Sequence, residues 1–459
     1  MKKIKSIVLT SALLTANVLN AQNPVVQTCF TSDPAPMVHG DRLYVYTGHD
    51  EDNADFFWMQ EWRVYSTDDM VNYTDHGSPL ALETFSWADD RAWAAQTIYR
   101  NGKFYWYICA HSKLTNGMAI GVAVSDNPVR GFKDALGKPL FDNGSWDNID
   151  PTVFIDDDNQ AWLFWGNPQV YYLKLNEDMV SYSGELGLVE MDEKSFGAPV
   201  MRKREEGKTY KDCYVEGPWL TKRNGKYQLL YASGGVPEHI SYSVSDKLPG
   251  NWSYAGEIMP LCETGSFTNH CGVTDYKGHS YFFYHTGKLP KGGGFGRSIA
   301  VEEFKYNPDG SFPTIMPTNE GVKPLKNFNP YTKVQAETMA FSFGVKTEQN
   351  QKRGVYVSEI HNGDYTKLQS VDFGDVSPKT FSASTASALR GGKIEVHLDS
   401  IKGTTIAELE ILGTGAWETF KTFSTATKTN VTGVHDVYFV FTGRKGPRLF
   451  NFDFWEMKR

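Results

Sequence analysis

The chain has 459 residues, of which 40% are hydrophobic and 14% aromatic, and its formal net charge is −8. This length can bury a full core, and the aromatic content is more typical of β-sheets than of helices. The acidic balance, without a basic stripe, argues against nucleic acid as a partner.

The first 21 residues have the pattern of an export signal. Lys2, Lys3 and Lys5 precede an apolar run at 7–14, and small and polar residues follow. This order predicts a Sec-type signal peptide over 1–21, with cleavage before Gln22. We therefore expect a mature protein that is exported, to the periplasm or outside the cell. No later stretch of the sequence is long and apolar enough to predict a membrane span.

Five segments of the chain repeat one pattern, a short apolar strand, a polar turn and a second strand rich in aromatics. In each, an 11-residue step leads from a distinctive residue to the aromatic strand, and successive units start 54 to 66 residues apart. Turns such as Asn101-Gly102 and Asn224-Gly225 tolerate the backbone angles of a tight hairpin. The spacing is a little above the usual length of a four-stranded propeller blade. The sequence therefore predicts an all-β fold with a five-bladed β-propeller over 22–325.

The residues that head the five units are expected to converge, because the first strand of every blade lines the propeller axis. They are Asp33, Trp93, Asp150, Glu216 and His270. Inverting hydrolysis of a glycosidic bond needs a carboxylate that activates water and a carboxylic acid that protonates the leaving oxygen, roughly 6.5–9.5 Å apart. A third carboxylate near the acid raises the pKa of that acid by like-charge repulsion. The three acidic head residues therefore predict a glycoside hydrolase.

Proline follows two of these carboxylates directly, in Asp33-Pro34 and Asp150-Pro151. Because proline biases the residue before it towards extended conformations, we expect Asp33 and Asp150 to be extended at the starts of their strands.

The sequences around the three carboxylates, at 31–36, 148–154 and 215–219, resemble the catalytic motifs of glycoside hydrolase family 43. The resemblance covers roughly residues 24 to 325. That family consists of five-bladed propellers that act as inverting α-L-arabinofuranosidases, β-xylosidases and arabinanases. The resemblance implies that Asp33 is the general base, that Glu216 is the general acid, and that Asp150 tunes the pKa of the acid and orients it.

Other residues of the propeller have two interpretations each. The resemblance implies a calcium ion on the axis near His270, in contact through water because a neutral imidazole is a poor ligand for a hard cation; the alternative is a hydrogen-bonded channel histidine. Trp93 is predicted to stack on the sugar, or else to pack in the core. Arg297 resembles an arginine that relatives place near the bound sugar; the alternative is a surface salt bridge.

Trp165 is predicted to pack in the core. Most of the five cysteines are predicted to be buried thiols, with Cys271 beside a head residue.

The second part of the chain follows a passage rich in proline and asparagine, which predicts a linker over 326–333 and a separate domain over 334–459. Its strands alternate in character between Gly, Ser and Thr turns, as in a jelly-roll β-sandwich. The segments 335–337, 363–365 and 450–453 resemble carbohydrate-binding module family 6. An alternative for this domain is a stabilising appendage that does not bind sugar.

That second resemblance implies two sites in the module. Tyr356 and Trp417 would clamp a sugar ring and Asn451 would bond to it. Gln335, Glu337 and Asp453 would form a structural calcium site, although an acidic residue is more common in place of Gln335.

Together these patterns predict an exo-acting inverting glycoside hydrolase that removes α-L-arabinofuranosyl residues from arabinoxylan or arabinan, plant cell-wall polysaccharides. One alternative is a β-xylosidase acting on xylo-oligosaccharides. An alternative of another class is a non-catalytic propeller lectin, although pure binding has no need of three convergent carboxylates. No cofactor is expected for the chemistry, calcium is expected only as a structural ion, and no protein partner is implied.

Overall fold

The computed structural model describes residues 22–199 and 213–459, and the predicted signal peptide lies outside them. Within these ranges the chain is almost entirely β-structure, as predicted. The helical elements of the described part are a 3₁₀ turn at Leu82–Thr84 and one α-helical turn, α1, at Glu193–Phe196. In the same part, no helix has the length and apolar character needed to cross a bilayer.

The N-terminal domain consists of five antiparallel sheets that follow one another along the chain. Blade 1 contains β1 (Ser32–His39), β2 (Arg42–Gly48), β3 (Glu61–Thr67), β4 (Tyr73–Asp75) and β5 (Leu80–Ala81). Blade 2 contains β6 (Ala88–Asp90), β7 (Ala95–Arg100), β8 (Lys103–Ser112), β9 (Met118–Ser125) and β10 (Lys133–Asp134). Blade 3 contains β11 (Thr152–Ile155), β12 (Ala161–Trp165), β13 (Tyr171–Leu175) and β14 (Tyr182–Leu188). Blade 4 contains β15 (Tyr214–Arg223), β16 (Lys226–Ser233), β17 (His239–Ser245) and β18 (Ser253–Met259), and blade 5 contains β19 (Gly272–Tyr276), β20 (His279–Thr286) and β21 (Ser298–Phe304).

The five predicted hairpins are all present, as the antiparallel pairs β1–β2, β7–β8, β11–β12, β15–β16 and β19–β20. Their inner strands form a closed ring, because β1 contacts β7 and β19, β11 contacts β7 and β15, and β15 contacts β19. This ring confirms the five-bladed propeller. Asp33 and Glu216 lie within inner strands, while Trp93, Asp150 and His270 each precede one by two residues.

The aromatic second strands pack between the blades. Trp106, Tyr107, Trp165 and Tyr231 are all essentially inaccessible to solvent. Both faces of a blade strand are covered by neighbouring blades, so both sets of alternating side chains are apolar. Trp165 packs in the core as predicted, with its indole N–H donating to Asn148 Oδ1 at 3.1 Å.

The cysteines agree with the prediction that most are buried thiols. Cys109, Cys213 and Cys271 are buried, whereas Cys29 and Cys262 are partly exposed. Burial raises the pKa of the Cys271 thiol, so this residue beside a head position is an inert part of the core.

The C-terminal domain is a β-sandwich, as predicted. Its strands are β22 (Val334–Gln335), β23 (Thr338–Met339), β24 (Phe341–Phe343), β25 (Lys346–Asn350), β26 (Gly354–Ser358), β27 (Tyr365–Asp372), β28 (Thr380–Ala386), β29 (Gly391–Leu398), β30 (Thr405–Leu412), β31 (Lys421–Ala426), β32 (Val434–Thr442) and β33 (Asn451–Lys458). One sheet has the order β25-β26-β33-β28-β31, with β22 beside β33, and the other has the order β24-β27-β32-β29-β30. Phe381, Phe439, Phe452 and Trp455 lie in the core between them.

The two domains are joined by hydrogen bonds along blade 1. β23 pairs antiparallel with β4, which extends the sheet of blade 1 by one strand from the sandwich. The Asn72 side chain bonds to both backbone groups of Gln369, at 3.0 and 2.9 Å. Thr347 donates to the buried Asp75 carboxylate at 2.7 Å. The predicted linker residue Phe328 exchanges backbone hydrogen bonds with the sandwich. The sandwich is therefore docked on the propeller.

Candidate active site

The three acidic head residues come from three blades and meet at the propeller axis. Asp33 and Asp150 are each 6% exposed, and Glu216 is partly buried. The backbone N–H of Gly217, next to Glu216, donates to Asp150 Oδ2 at 2.9 Å. Asp33 and Glu216 are both close enough to Asp150 to raise its pKa. The structure therefore brings the predicted carboxylates together.

The backbone at two of these carboxylates differs from the prediction. Asp33 has a φ of 50° and Asp150 a φ of 58°, which is the left-handed region and not the extended conformation expected before proline. Residues other than glycine occupy this region at a cost of roughly 1–3 kcal/mol, and such strain is concentrated at functional sites. The prediction was wrong because the ring of inner strands, and not the local proline preference, determines how these side chains enter the funnel.

An arginine and a second aspartate surround Asp33. Arg297 Nη1 lies 3.1 Å from Asp33 Oδ1. The rest of the guanidinium is held by the buried Asp50, with Nε 2.9 Å from Oδ2 and Nη2 2.8 Å from Oδ1. Burial alone would raise the pKa of Asp33, but the charge of Arg297 opposes burial, and that pKa lies well below its usual range. Asp33 is therefore ionised.

Arg297 itself is buried, which excludes the alternative that it forms a surface salt bridge. Its nitrogens already bond to Asp33 and Asp50, and burial acts to lower the pKa of Arg297 while these two anionic partners outweigh burial and raise that pKa. Direct contact between Arg297 and a sugar stays a prediction. Asp50, which sequence reasoning missed, lies two residues beyond the end of β2, where no motif distinguished it.

Two histidines also lie beside Asp33. His270 Nδ1 is 3.8 Å from Asp33 Oδ1, and burial lowers the pKa of His270 to about 4, so the ring is neutral near neutral pH. His285 is buried, and its Nε2 lies 2.9 Å from the carbonyl oxygen of Thr268. Since a carbonyl only accepts, Nε2 carries the proton, and Nδ1 accepts from the backbone N–H of Asp33 at 3.4 Å. Sequence reasoning missed His285, which lies one residue before the end of the aromatic strand β20.

Asp150 and Glu216 form a pair in which the pKa of Asp150 is raised, whereas the pKa of Asp33 is lowered. Burial, then the charge of Glu216 and then that of Asp33 raise the pKa of Asp150 well above its usual value. Asn167 Nδ2 donates to Glu216 Oε2 at 2.6 Å. Because repulsion between two carboxylates is mutual, ionisation of either one disfavours ionisation of the other. The pair therefore retains a proton under conditions in which Asp33 has lost its own.

Aromatic side chains form one wall beside these carboxylates. Trp93 is partly buried, and its indole N–H donates to the carbonyl oxygen of Phe57 at 3.0 Å. Phe57 in turn lies 4.8 Å from the Arg297 guanidinium and packs edge to face on Phe295. Trp93 thus lies at the border between core and funnel, with Arg91 over its ring at 5.7 Å. Its role as a sugar platform stays a prediction.

The described ranges contain no cluster of three or more His, Cys, Asp or Glu side chains arranged to hold a metal ion. Calcium on the propeller axis, in contact with His270 through water, stays a prediction. In the sandwich, Glu337 is 5% exposed, and its Oε2 has no hydrogen-bond partner. Burial and the charges of Asp75 and Asp453 raise the pKa of Glu337 well above its usual value. An uncompensated buried carboxylate of this kind fits a bound cation, whereas Gln335 is exposed.

The residues of the predicted sugar clamp of the sandwich are in contact with other residues of the same domain. Tyr356 is only 2% exposed, its hydroxyl donates to Glu348 at 3.1 Å, and its ring packs against Phe420. Asn451 is fully buried, and its amide donates to the carbonyl oxygen of Trp417 at 2.8 Å. Both side chains are covered by other residues of the domain, and the predictions that Tyr356 stacks on a sugar and that Asn451 bonds to it stay predictions.

Arg448 fills the space between these residues. Its guanidinium lies 4.8 Å from the Trp417 ring and donates to Asn451 Oδ1 at 3.1 Å. It also forms ion pairs with Glu348 at 3.1 Å and Glu359 at 2.8 Å. A sugar could reach the ring of Trp417 on this side only by displacing a guanidinium that has two anionic partners.

The fold and the site define a class of protein. Three carboxyl groups meet at the centre of a five-bladed propeller; an arginine lowers the pKa of Asp33, and burial and the neighbouring Glu216 raise the pKa of Asp150. A base and an acid of this kind are what a glycoside hydrolase needs. Residues 21–312 match the family described as glycosyl hydrolases family 43, and residues 335–459 match carbohydrate binding module (family 6). The chain belongs to glycoside hydrolase family 43, which confirms the resemblance seen in its motifs.

Several known proteins are similar to this chain over both domains. An arabinoxylan arabinofuranohydrolase of Paenibacillus polymyxa is 32% identical over 96% of this chain and 75% of the relative. One of Bacillus subtilis (strain 168) is 31% identical over 97% of this chain and 94% of the relative. The crystal structure of a family 43 arabinoxylan arabinofuranohydrolase from Bacillus subtilis, in complex with cellotetraose, superposes with a TM-score of 0.81 at 28% identity, covering 96% of this chain and 98% of that one. A xylosidase/arabinosidase 43A of Humicola insolens is 29% identical over 64% of this chain and 99% of the relative.

Proposed function

We propose that this protein is an exo-acting, inverting α-L-arabinofuranosidase that removes arabinofuranosyl side chains from arabinoxylan. The observation that carries the proposal is that the carboxylates have neighbours of opposite charge: Asp33 lies beside the positive Arg297, and Asp150 lies beside the acidic Glu216. The substrate is supported by the two relatives that match over both domains, each of which is named an arabinoxylan arabinofuranohydrolase.

Asp33 acts as the general base. Its ionised carboxylate accepts a proton from water as the water oxygen attacks the anomeric carbon from the face opposite the leaving group. Arg297 keeps Asp33 ionised, while the contacts from Ser32 Oγ at 2.9 Å and from His285 to the Asp33 backbone fix the direction of its oxygens. The new carbon–oxygen bond therefore forms with inversion.

Glu216 acts as the general acid. The proton shared by Asp150 and Glu216 passes from Glu216, the member of the pair that is open to the funnel, to the glycosidic oxygen as its bond to the anomeric carbon breaks. Asn167 positions the Glu216 carboxyl group, and the buried Asp150 keeps the proton on the pair. At the end of the reaction Asp33 has gained a proton and Glu216 has lost one, and exchange with solvent restores both.

The second candidate is a β-xylosidase. It is supported by the similarity to the Humicola insolens xylosidase/arabinosidase, which matches the propeller alone. The pentofuranose and pentopyranose glycosides need the same carboxylates, so the choice between them depends on the shape of the pocket.

A panel of substrates separates these candidates. We expect release of arabinose from an aryl α-L-arabinofuranoside and from arabinoxylan, little activity on an aryl β-D-xyloside or linear arabinan, and NMR signals of the inverted anomer first. Glu216→Gln should abolish release from arabinoxylan, and the exposed Glu263→Gln is the matched control. Faster cleavage of the xyloside would favour the second candidate, and a product with retained configuration would contradict the mechanism.

Two further proposals concern the sandwich and the N-terminal segment of the chain. Glu337 and Asp453 would hold a structural calcium ion in the sandwich, where the orphaned Glu337 oxygen needs a positive partner. The chain is exported after cleavage before Gln22, supported by the lysines and apolar run of its first 21 residues. N-terminal sequencing of protein recovered outside the cytoplasm, beginning at Gln22, is the expected result for export.

A further inference from the structure

A cleft of about 570 Å³ lies between the propeller and the sandwich. The propeller contributes residues 52–53 and 288–291 together with part of 23–30, and the sandwich contributes residues 341–346. Its volume is within the roughly 300–1,000 Å³ of small-molecule sites, which occur preferentially between domains. None of the carboxylates of the active site lines it.

The sandwich wall of this cleft presents an exposed aromatic ring. Phe343 is 55% exposed and is the cross-strand partner of Tyr365, with the two rings 5.7 Å apart and inclined by only 16°. Phe341 stacks on the opposite part of the same tyrosine, at 6.1 Å and 26°. Stacking on Tyr365 holds Phe343 flat before any ligand binds. A flat, fixed, half-exposed ring suits the C–H face of a pyranose, and covering it removes apolar area from water.

The rim of the cleft carries groups that bond to hydroxyls. Lys291 and Asn53 are exposed on the propeller side. Lys346 of the sandwich forms an exposed ion pair with Asp52 of the propeller at 2.9 Å, so both charged groups face solvent across the cleft. Ammonium and amide groups donate and the carboxylate accepts, which matches the mixed donors and acceptors of a neutral sugar.

Two loops of the propeller lie between the cleft and the active site. Asp50 holds Arg297, and its neighbours Asp52 and Asn53 line the cleft. Phe30 also lines the cleft, and a Cβ at Gly296, next to Arg297, would lie within 3.3 Å of its ring. One layer of backbone therefore separates the cleft from the arginine that contacts Asp33.

The other sugar site expected of this chain is filled by its own residues. Arg448 covers Trp417 and bonds to Asn451 in the predicted clamp, so that surface offers no ready contact for a polysaccharide. The cleft between the domains instead has an uncovered ring and exposed polar groups at its rim.

We propose that this cleft binds a stretch of the xylopyranose backbone of the polysaccharide, outside the funnel and away from the unit whose arabinofuranosyl side chain is cleaved. The proposal rests on the proposed function for the identity of the substrate. It predicts that the cleft contributes to the use of polymeric substrate and contributes nothing to the hydrolysis of a small aryl arabinofuranoside, which reaches only the funnel.

Binding tests the site directly in the full-length chain. The parent is Glu216→Gln, which prevents hydrolysis, and the probe is unsubstituted xylohexaose, followed by calorimetry. Adding Phe343→Ala should weaken binding about fivefold or more, since it removes the stacking ring. Leu412→Ala, at a sandwich position that is 59% exposed, is the matched control and should leave binding unchanged. Trp417→Ala should also leave it unchanged.

Kinetics with active enzyme gives a second, independent readout. Phe343→Ala and Lys291→Ala should each raise KM for arabinoxylan several-fold while kcat, and both constants for an aryl α-L-arabinofuranoside, stay at wild-type values. Both side chains are exposed, so neither substitution removes core packing.

Three results would overturn the proposal. The first is absence of xylohexaose binding by the parent, and the second is equal binding by the Phe343→Ala variant. The third is loss of binding in Trp417→Ala alone, which would place the binding site at the predicted clamp. Failure of the proposed function is distinguishable, because it appears as absent hydrolysis of the aryl arabinofuranoside by wild-type enzyme, whatever the binding experiment gives.

Discussion

The arginine beside Asp33 makes the pH dependence of the enzyme a direct test of the site. Replacing the buried pair by amides, in Arg297→Gln/Asp50→Asn, removes the positive charge 3.1 Å from the Asp33 carboxylate and leaves no buried charge of Asp50 without a partner. Burial, which acts to raise the pKa of Asp33, is then no longer opposed by the guanidinium charge. The pKa of Asp33 should therefore rise.

The size of this rise follows from the distance. Two unit charges 3.1 Å apart interact by about 5 kcal/mol at an effective dielectric constant of about 20, which corresponds to about 4 pKa units. That figure is an upper limit, because water and the new amides compensate in part, and we expect a rise of at least about 2 units. Asp33 works as a base only when ionised, above its pKa. Activity of the variant should thus be lost as the pH falls through a higher value than in the wild type.

The assay is the pH profile of kcat/KM on an aryl α-L-arabinofuranoside between about pH 3 and 9. We expect no acid limb from Asp33 in this range for the wild type, and an acid limb within the range for the variant, because burial then raises the pKa of Asp33. The control is Arg63→Gln/Asp75→Asn, a buried pair in the same blade with a contact of 3.0 Å that does not act on Asp33. Absence of this acid limb in the folded Arg297→Gln/Asp50→Asn enzyme would refute the assignment of Arg297 and Asp33.

Four further predictions concern other residues of the propeller and the sandwich. Glu216→Ala should lower kcat on arabinoxylan by about 10²–10⁴-fold and much less on an aryl glycoside whose leaving group needs no proton, as measured by steady-state kinetics. Arg448→Ala should uncover Trp417 and add a second oligosaccharide site in calorimetry, which Arg448→Ala/Trp417→Ala should lose again. Calcium at about 100 times its dissociation constant should stabilise the wild type by about 2.7 kcal/mol in thermal unfolding, while Glu337→Gln should lose this effect and, in chelator, be more stable than the wild type at neutral pH. Asn72→Ala should cost about 1–3 kcal/mol and separate the unfolding of the two domains in calorimetry.

The sequence predicted the features that depend on local repetition. Each hairpin needs only an apolar strand, a turn that accepts positive φ and an aromatic strand, and Asn101 and Asn224 adopt such φ values, 51° and 49°. Once the hairpins were recognised, the ring of inner strands followed from the number of repeats. The meeting of Asp33, Asp150 and Glu216 at the axis was therefore predictable without any knowledge of distant contacts.

The features that the sequence did not predict depend on contacts between distant segments. Asp50 acts through an arginine 247 residues away, and His285 contacts the backbone of a residue 252 positions before it. In the sandwich, the matched positions of Tyr356 and Asn451 gave no sign that an arginine would lie between them. A residue can match a motif and still be buried, because its exposure depends on the packing of loops that the motif does not contain.

The docking of the sandwich gives that domain a role that does not depend on its own clamp. β4 would otherwise be the outer edge of blade 1, with backbone groups open to pairing with other chains, and β23 covers part of that edge. Asp75, at the end of β4, accepts from Arg63 within the blade and from Thr347 across the interface. Blade 1 also carries Asp33, and Asp50 lies just beyond its second strand. The sandwich thus stabilises the blade that carries Asp33, and it supplies the aromatic wall of the cleft beside that blade.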